Sequence, residues 1–146
     1  MTVLCFAFVA CSQKEAFFEF HSFPESEWLR SDVVNFQFKP EDISLKYDIF
    51  LEIRNNNKYP FRNIWLFVDV IAPDGKQRSD TVNIELADVY GKWHGRGISL
   101  FSCSVPYETD VQYLYSGTYT YAIRQGMREE TLNGISDIGL SVKAKQ

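Results

Sequence analysis

No run of Lys or Arg interrupts this chain, and 15 basic residues against 19 acidic ones leave a formal net charge of -4. Proteins that grip a phosphate backbone concentrate positive charge, so nucleic-acid binding has no electrostatic support here. No stretch approaches the roughly 18 apolar residues of a membrane-spanning helix, so membrane contact must come from an anchor. Histidine is scarce. His21 and His94 lie neither in an HExxH pair nor beside paired Cys, so no metal site is expected. A Gly-rich phosphate loop and a GxSxG elbow are both missing. A dispersed Ser-His-Asp set would have to use one of two His on loop-like segments. Asp80, Glu85 and Asp88 could supply paired carboxylates, but such residues in a β-protein usually face solvent or cap turns. We therefore assign no catalytic residue and expect no cofactor and no enzyme.

Cysteine is also sparse: Cys5, Cys11 and Cys103. Cys11 directly follows the apolar run Val3 to Ala10. An apolar segment ending in a small residue and then Cys is the pattern of a bacterial lipoprotein signal, with Ala10 before the cut and the Cys11 thiol carrying the lipid. A polar spacer, Ser12-Gln13-Lys14-Glu15, comes next. The expected organisation is a signal peptide over 1–10, a tether over 11–18 and one domain over 19–146. The missing basic n-region points to a start upstream of Met1. The alternative is a buried first strand from Val3 to Val9. Removal of Cys5 and lipidation of Cys11 would leave Cys103 alone. It shares its parity with Phe101 and Val105, as a small buried hydrophobe would.

What the chain has in abundance is aromatic and alternating. There are 12 Phe, 8 Tyr and 3 Trp in 146 residues, and such side chains fit pleated, half-buried surfaces. From Ile43 to Ile53, Ile43, Leu45, Tyr47, Ile49, Leu51 and Ile53 fall on one face, which predicts a half-buried strand. Val34, Phe36 and Phe38 alternate in the same way. Ile64 to Ile71 is apolar on both faces and reads as a central strand covered on both sides. Pro73-Asp74-Gly75-Lys76 is a tight-turn sequence that predicts a hairpin between about 63–72 and 77–86. Further strands are expected at Ile98–Val105, Val111–Tyr115, Tyr119–Gln125 and Ile138–Val142, with one helical turn at Arg128–Leu132. About eight short strands without a helical period predict an all-β, antiparallel β-sandwich of jelly-roll or immunoglobulin-like type. Trp28 and Trp65 are read as core or core-edge residues.

The densest constellation of polar and aromatic residues is Asp88, Tyr90, Trp93, His94 and Arg96, spaced by Gly91 and Gly95. Trp and Arg beside Gly are interface chemistry, and an exposed ring could also stack on a sugar. Alternatively, Trp93 folds back to plug one end of the sandwich. Arg128, in Gly126-Met127-Arg128, is a further candidate for the same surface.

These segments resemble the gliding-motility lipoprotein family GldH over nearly all of the mature chain. The resemblance is carried by Ile53 to Leu66 (IRNNNKYPFRNIWL), Pro73-Asp74-Gly75, Leu86-Ala87-Asp88, Gly91-Lys92-Trp93 and, most specifically, Gly117 to Leu140 with Gln125-Gly126-Met127-Arg128. It implies an envelope lipoprotein lipidated at Cys11, with the outer membrane as the expected location. The implied partners are other proteins of a surface-motility and linked secretion machinery. It implies no catalytic site. A carbohydrate-binding sandwich is the alternative reading of the aromatic loops.

Overall fold

Period-two alternation resolves into buried and outward faces in the computed structural model, which describes residues 13–146. The strands are β1 (Gln13–Ser22), β2 (Glu27–Leu29), β3 (Val34–Phe38), β4 (Lys46–Asn56), β5 (Asn63–Ile71), β6 (Gln77–Glu85), β7 (Leu100–Val111), β8 (Tyr119–Gln125), β9 (Thr131–Asn133) and β10 (Ile135–Lys145). One antiparallel sheet runs β1-β10-β4-β7, and a second runs β3-β8-β5-β6. A two-stranded ribbon pairs β2 with β9. Ile49, Leu51 and Ile53 of β4 and Ile138, Leu140 and Val142 of β10 enter one core cluster with Ile64, Leu66 and Val68 of β5 and Ile123 of β8. All ten are fully buried, as the inner faces of an all-β sandwich require.

The register gives the sandwich two distinct ends. Gln13 pairs Lys145, Lys145 pairs Lys46, and Tyr47 pairs Val111 at one end. Phe38, which pairs Tyr119, packs its ring on Phe17 (5.9 Å) and Tyr47 (5.6 Å), so the second sheet is aligned with the first. Ser22 pairs Asp137, Asn56 pairs Leu100, and Asn63 pairs Glu85 at the far end. At 3.3 Å per residue, the ten residues of β1 place the ends about 30 Å apart. Phe17 on Phe38 closes one long side. On the other side Arg78 pairs Glu108 and Asp80 (3.3 Å to the latter), and the Tyr107 hydroxyl donates to Asp80.

Several sequence expectations change. The segment 13–18, read as tether, is the first half of β1, because Phe17 has a buried partner in Phe38 and β10 needs a neighbour on that side. Cys11 and the run Val3–Ala10 lie outside the described residues. The strand expected from Ile43 begins at Lys46, after a turn in which Ser44 donates its backbone N–H to the Asp42 carboxylate (2.9 Å). Val111–Tyr115 is not a separate strand. β7 runs unbroken through Pro106, tolerated because β7 is an edge strand. No helical turn forms at Arg128–Leu132. Leu132 instead pairs Trp28 in the ribbon, and the Arg30 N–H donates to Glu130 O (2.7 Å). Trp28 is buried completely and stacks on Phe23 at 4.7 Å. The short helical element is a 3-10 turn at Pro24–Ser26. The Pro73 hairpin forms as expected, with Gly75 N–H donating to Ala72 O (2.9 Å).

At the Gln13 end the buried Asp48 carboxylate ties four strand termini together. It accepts from the Asp110 N–H (2.9 Å) and the Gln13 amide, and Lys145 Nζ lies 3.3 Å away. Desolvation pushes its pKa up, but the Asp110 N–H, Lys145 and Gln13 outweigh it and hold the carboxyl below the usual carboxylate range. A depressed folded-state pKa adds stability above the unfolded value, and that stability is lost as pH falls through the folded one. Asp48→Ala should therefore cost about 2 kcal/mol at neutral pH. Urea unfolding at several pH values should show that gap shrinking as pH falls below the usual carboxylate range and through the lowered Asp48 pKa.

Candidate functional site

The far end carries the loop between β6 and β7, and short-range bonds build it from its base upward. Asp88 Oδ1 accepts the N–H groups of Tyr90 and Lys92, both at 2.9 Å, and the Asp88 N–H donates to Lys92 O (2.9 Å). The Lys92 N–H is the main cause of a lowered Asp88 pKa, so this carboxylate is committed to holding a turn. Trp93 bridges Ala87 and turns its half-buried ring toward Tyr59 (6.4 Å) and Phe101 (5.9 Å). Trp93 thus plugs the edge of the core. Arg96 and Ser102 exchange both backbone hydrogen bonds at 3.0 Å. Gly97 has φ +147°, and a Cβ there would lie 1.8 Å from Leu100 O, so only Gly closes this base.

What the base displays is apolar: Val89 is 71% exposed, Tyr90 92% and Ile98 96%. His94 donates its backbone N–H to Leu86 O (2.8 Å). Its imidazole lies 3.6 Å from the Glu85 carboxylate, both side chains being exposed. No Ser or Asp side chain hydrogen-bonds to it among the described residues. His21, on β1 rather than a loop, packs edge-on against Phe23 at 5.0 Å.

A second surface lies beside this loop, on the outer face of the β3-β8-β5-β6 sheet. Here a groove of about 520 Å³ is lined by Phe61, Asn63, Trp65, Phe67 and the segment Gly126–Glu129. The expectation that β5 is covered on both sides fails. Among the described residues no layer lies over its outer face, and Trp65 is 41% exposed. The groove's wall is the Gln125-Gly126-Met127-Arg128 segment. Gln125 is buried. Its Nε2 donates to Glu129 O (2.8 Å) and its Oε1 accepts the Met127 N–H (2.8 Å), which pins the turn at both ends. The Gly126 N–H donates to Trp65 O (2.7 Å), and the Trp65 N–H reaches Met127 Sδ (3.3 Å). A Cβ on Gly126 would meet the Phe67 ring at 3.1 Å, so Gly lets the wall sit directly on that ring. The Arg124 guanidinium lies 5.4 Å from the Phe67 centroid.

The structure thus gathers Asp88, Tyr90, Trp93, His94 and Arg96 in one loop and places Arg128 apart from them, in the groove. Tyr59 connects the two surfaces. It is buried, touches Trp93 on one side and Phe61 on the other (5.8 Å), and donates its hydroxyl to Asn63 O (2.7 Å). Reading from sequence missed the outward pair Trp65 and Phe67, which the odd-numbered positions of β5 signal. It also missed Val89, and it placed Ile98 in a strand that begins only at Leu100. Cys103 is half-buried beside Ile53. Burial and the Glu52 carboxylate push its thiol pKa up, which suits a packing residue rather than a nucleophile.

The family model of the GldH lipoproteins matches residues 15–142, which takes in both surfaces and every strand they rest on. The chain belongs to the GldH lipoprotein family. It is 33% identical over 144 residues to the gliding motility lipoprotein GldH of Flavobacterium johnsoniae, covering 93% of this chain and 89% of that protein. A gliding motility lipoprotein GldH homolog of Christiangramia forsetii is 32% identical, with 93% and 88% covered. The family resemblance and the all-β sandwich expected from sequence are both found. The segment that carries the resemblance most specifically, Gln125 to Arg128, is the one that builds the groove wall.

Because Gln125 satisfies both ends of that turn, Gln125→Ala should destabilise the protein by about 2 kcal/mol. Hydrogen exchange should show Met127 losing its protection while β4 and β10 keep theirs.

Proposed function

We propose that this protein is a lipid-anchored, non-enzymatic component of the bacterial cell envelope. In this reading it serves a gliding-motility machinery and its linked protein-secretion system, and does so through protein contacts. Cys11 carries the lipid. One acyl chain binds a membrane only marginally, whereas the two or three chains of a bacterial lipoprotein hold it stably. The outer membrane is the proposed location.

The observation that supports the protein-contact reading best is the display of Val89, Tyr90 and Ile98 on a loop whose base is locked. A rigid base limits the entropy lost when the loop is ordered in a complex, and exposed apolar side chains around a Tyr are what an interface core uses. His94 and Glu85 form an exposed surface pair, and Asp88 is occupied by its own turn, so neither is arranged for proton transfer.

A carbohydrate-binding role is the second reading, supported by the outward rings of Trp65 and Phe67 beside Asn63 and Thr81. Rings that stack on sugars need neighbouring amides and hydroxyls to bond the sugar hydroxyls, and this face has them. A glycan array separates the two readings. Binding abolished by Trp65→Ala would favour the sugar, and silence would remove it.

Two outcomes are expected. Mass spectrometry of the mature protein should find a diacyl or triacyl Cys11 at the N-terminus, absent from Cys11→Ala. The triple variant Val89→Ser, Tyr90→Ser, Ile98→Ser should accumulate and melt as the parent does. In a host lacking its own copy, it should fail to restore secretion or motility and lose its co-purifying envelope partner. Full restoration by the triple variant would remove the loop from the function.

A further inference from the structure

The end of the sandwich at Gln13 is closed by features that none of the reasoning above uses. Only Ser12 separates Cys11 from Gln13, the first residue of β1. Two residue steps span at most about 7 Å. A lipid on Cys11 would therefore leave no spacer, and the whole Gln13 end would meet the headgroups. That end consists of the starts of β1, β4 and β8, the ends of β3, β7 and β10, and the β5–β6 hairpin turn. The β7–β8 connection, residues 112–118, crosses it from one sheet to the other.

This crossing loop is held firmly. The Tyr119 hydroxyl donates to Tyr115 O (3.0 Å) and accepts the Tyr115 N–H (3.2 Å). Tyr113 is buried and shares a 2.6 Å hydroxyl contact with Tyr121. Gly117 packs against Pro73 of the hairpin turn. Yet the loop shows water two large side chains, Leu114 at 79% exposure and Tyr115 at 48%. A soluble surface gains nothing from a rigid Leu-Tyr tip. A membrane interface does: Leu enters the acyl boundary, and Tyr sits at headgroup level with its ring apolar and its hydroxyl wet.

We propose that the Leu114–Tyr115 tip is a second membrane contact, seated in the bilayer that holds the Cys11 lipid. Anchor and tip lie on opposite sides of the same end. β1 and β7 are the two edges of one four-stranded sheet, about 14 Å apart at 4.8 Å per strand. Two contacts separated in this way fix the long axis of the sandwich upright, with the Tyr90 loop about 30 Å from the headgroups. Charge at this end is mixed: Lys39, Lys46 and Lys76 accompany Glu41, Asp42 and Asp74. The contact is therefore apolar and does not depend on anionic lipid.

The inference rests on the lipid at Cys11, and the test separates the two. The full chain, purified acylated from its host, carries either Leu114→Cys or Val89→Cys and is placed in phosphatidylcholine vesicles. It is then labelled with a membrane-impermeant maleimide. Cys103 contributes little background, because its thiol is half-buried with a raised pKa. With Leu114 replaced, the acyl anchor and the Tyr115 ring still seat the tip, and burying a ring of that size shifts the exposed population by about tenfold or more. Position 114 should therefore label at least about tenfold more slowly than position 89. A chain produced from Ser12 onward, without signal or lipid, should label alike at both positions, which shows that 114 is accessible when the anchor is gone. An acylated chain whose positions 114 and 89 label at equal rates overturns this inference alone. A mature chain without acyl mass on Cys11 overturns the anchor and this inference together.

Discussion

Everything in this molecule hangs on the pairing of β10 between β1 and β4. That central strand carries Ile138, Leu140 and Val142 into the core and puts Gly139 and Ser141 on the opposite face, both buried. Side chains alternate with a period of two, so a slip of one residue would exchange these sets and drive large apolar groups into a face that has room only for Gly139 and Ser141. The register is therefore strongly specified. The Phe20 ring of the neighbouring β1 folds over Gly139, since a Cβ there would lie 2.8 Å from that ring and from Glu19 O. Arg54 in turn covers Phe20, its guanidinium 3.8 Å from the ring centroid. Because this one register holds, the two ends of the sandwich are defined, and so is what each end displays.

The far end is organised by burial as much as by hydrogen bonds. Tyr59 donates one hydrogen bond and packs between Trp93 and Phe61, so the loop and the groove share a wall. Burial pushes the Tyr59 phenol pKa far above its ordinary value, and the nearby Glu129 carboxylate adds to that. It therefore stays neutral across any physiological pH, and the coupling of the two surfaces does not titrate.

How much of this was legible without coordinates follows a physical line. Alternation gave the inner faces of β3 and β4 residue by residue, because burial on one side leaves a period that can be counted. The Pro73 hairpin was legible because its turn chemistry is local. Three things were not. β2 and β9 are three residues each, too short for a period, and depend on Trp28 meeting Leu132 across more than a hundred residues. The part of β1 up to residue 18 was taken for a tether because its partner is the far terminus of the chain, which no local window contains. The outward face of β5 looked like core, since Trp65 and Phe67 are as apolar as Leu66, and only the absence of a covering layer tells them apart. The site residues divided in the same way. Asp88 holds its own turn and Trp93 packs on the core edge, while the groove around Arg128 depends on the tertiary docking of Gln125.

The antiparallel pairing of β1 with β10 has a mechanical side. Ladder hydrogen bonds lie across the strands, and β1 enters the sheet at the end where a lipid on Cys11 would hold it. A pull between that end and a partner on the Tyr90 loop runs along the strand axis. Such a load is shared by the nine residue pairs from Gln13↔Lys145 to Ser22↔Asp137 at once, instead of peeling them one at a time. The topology that buries the core therefore also places its strongest direction along the axis that joins the Gln13 end to the Tyr90 loop.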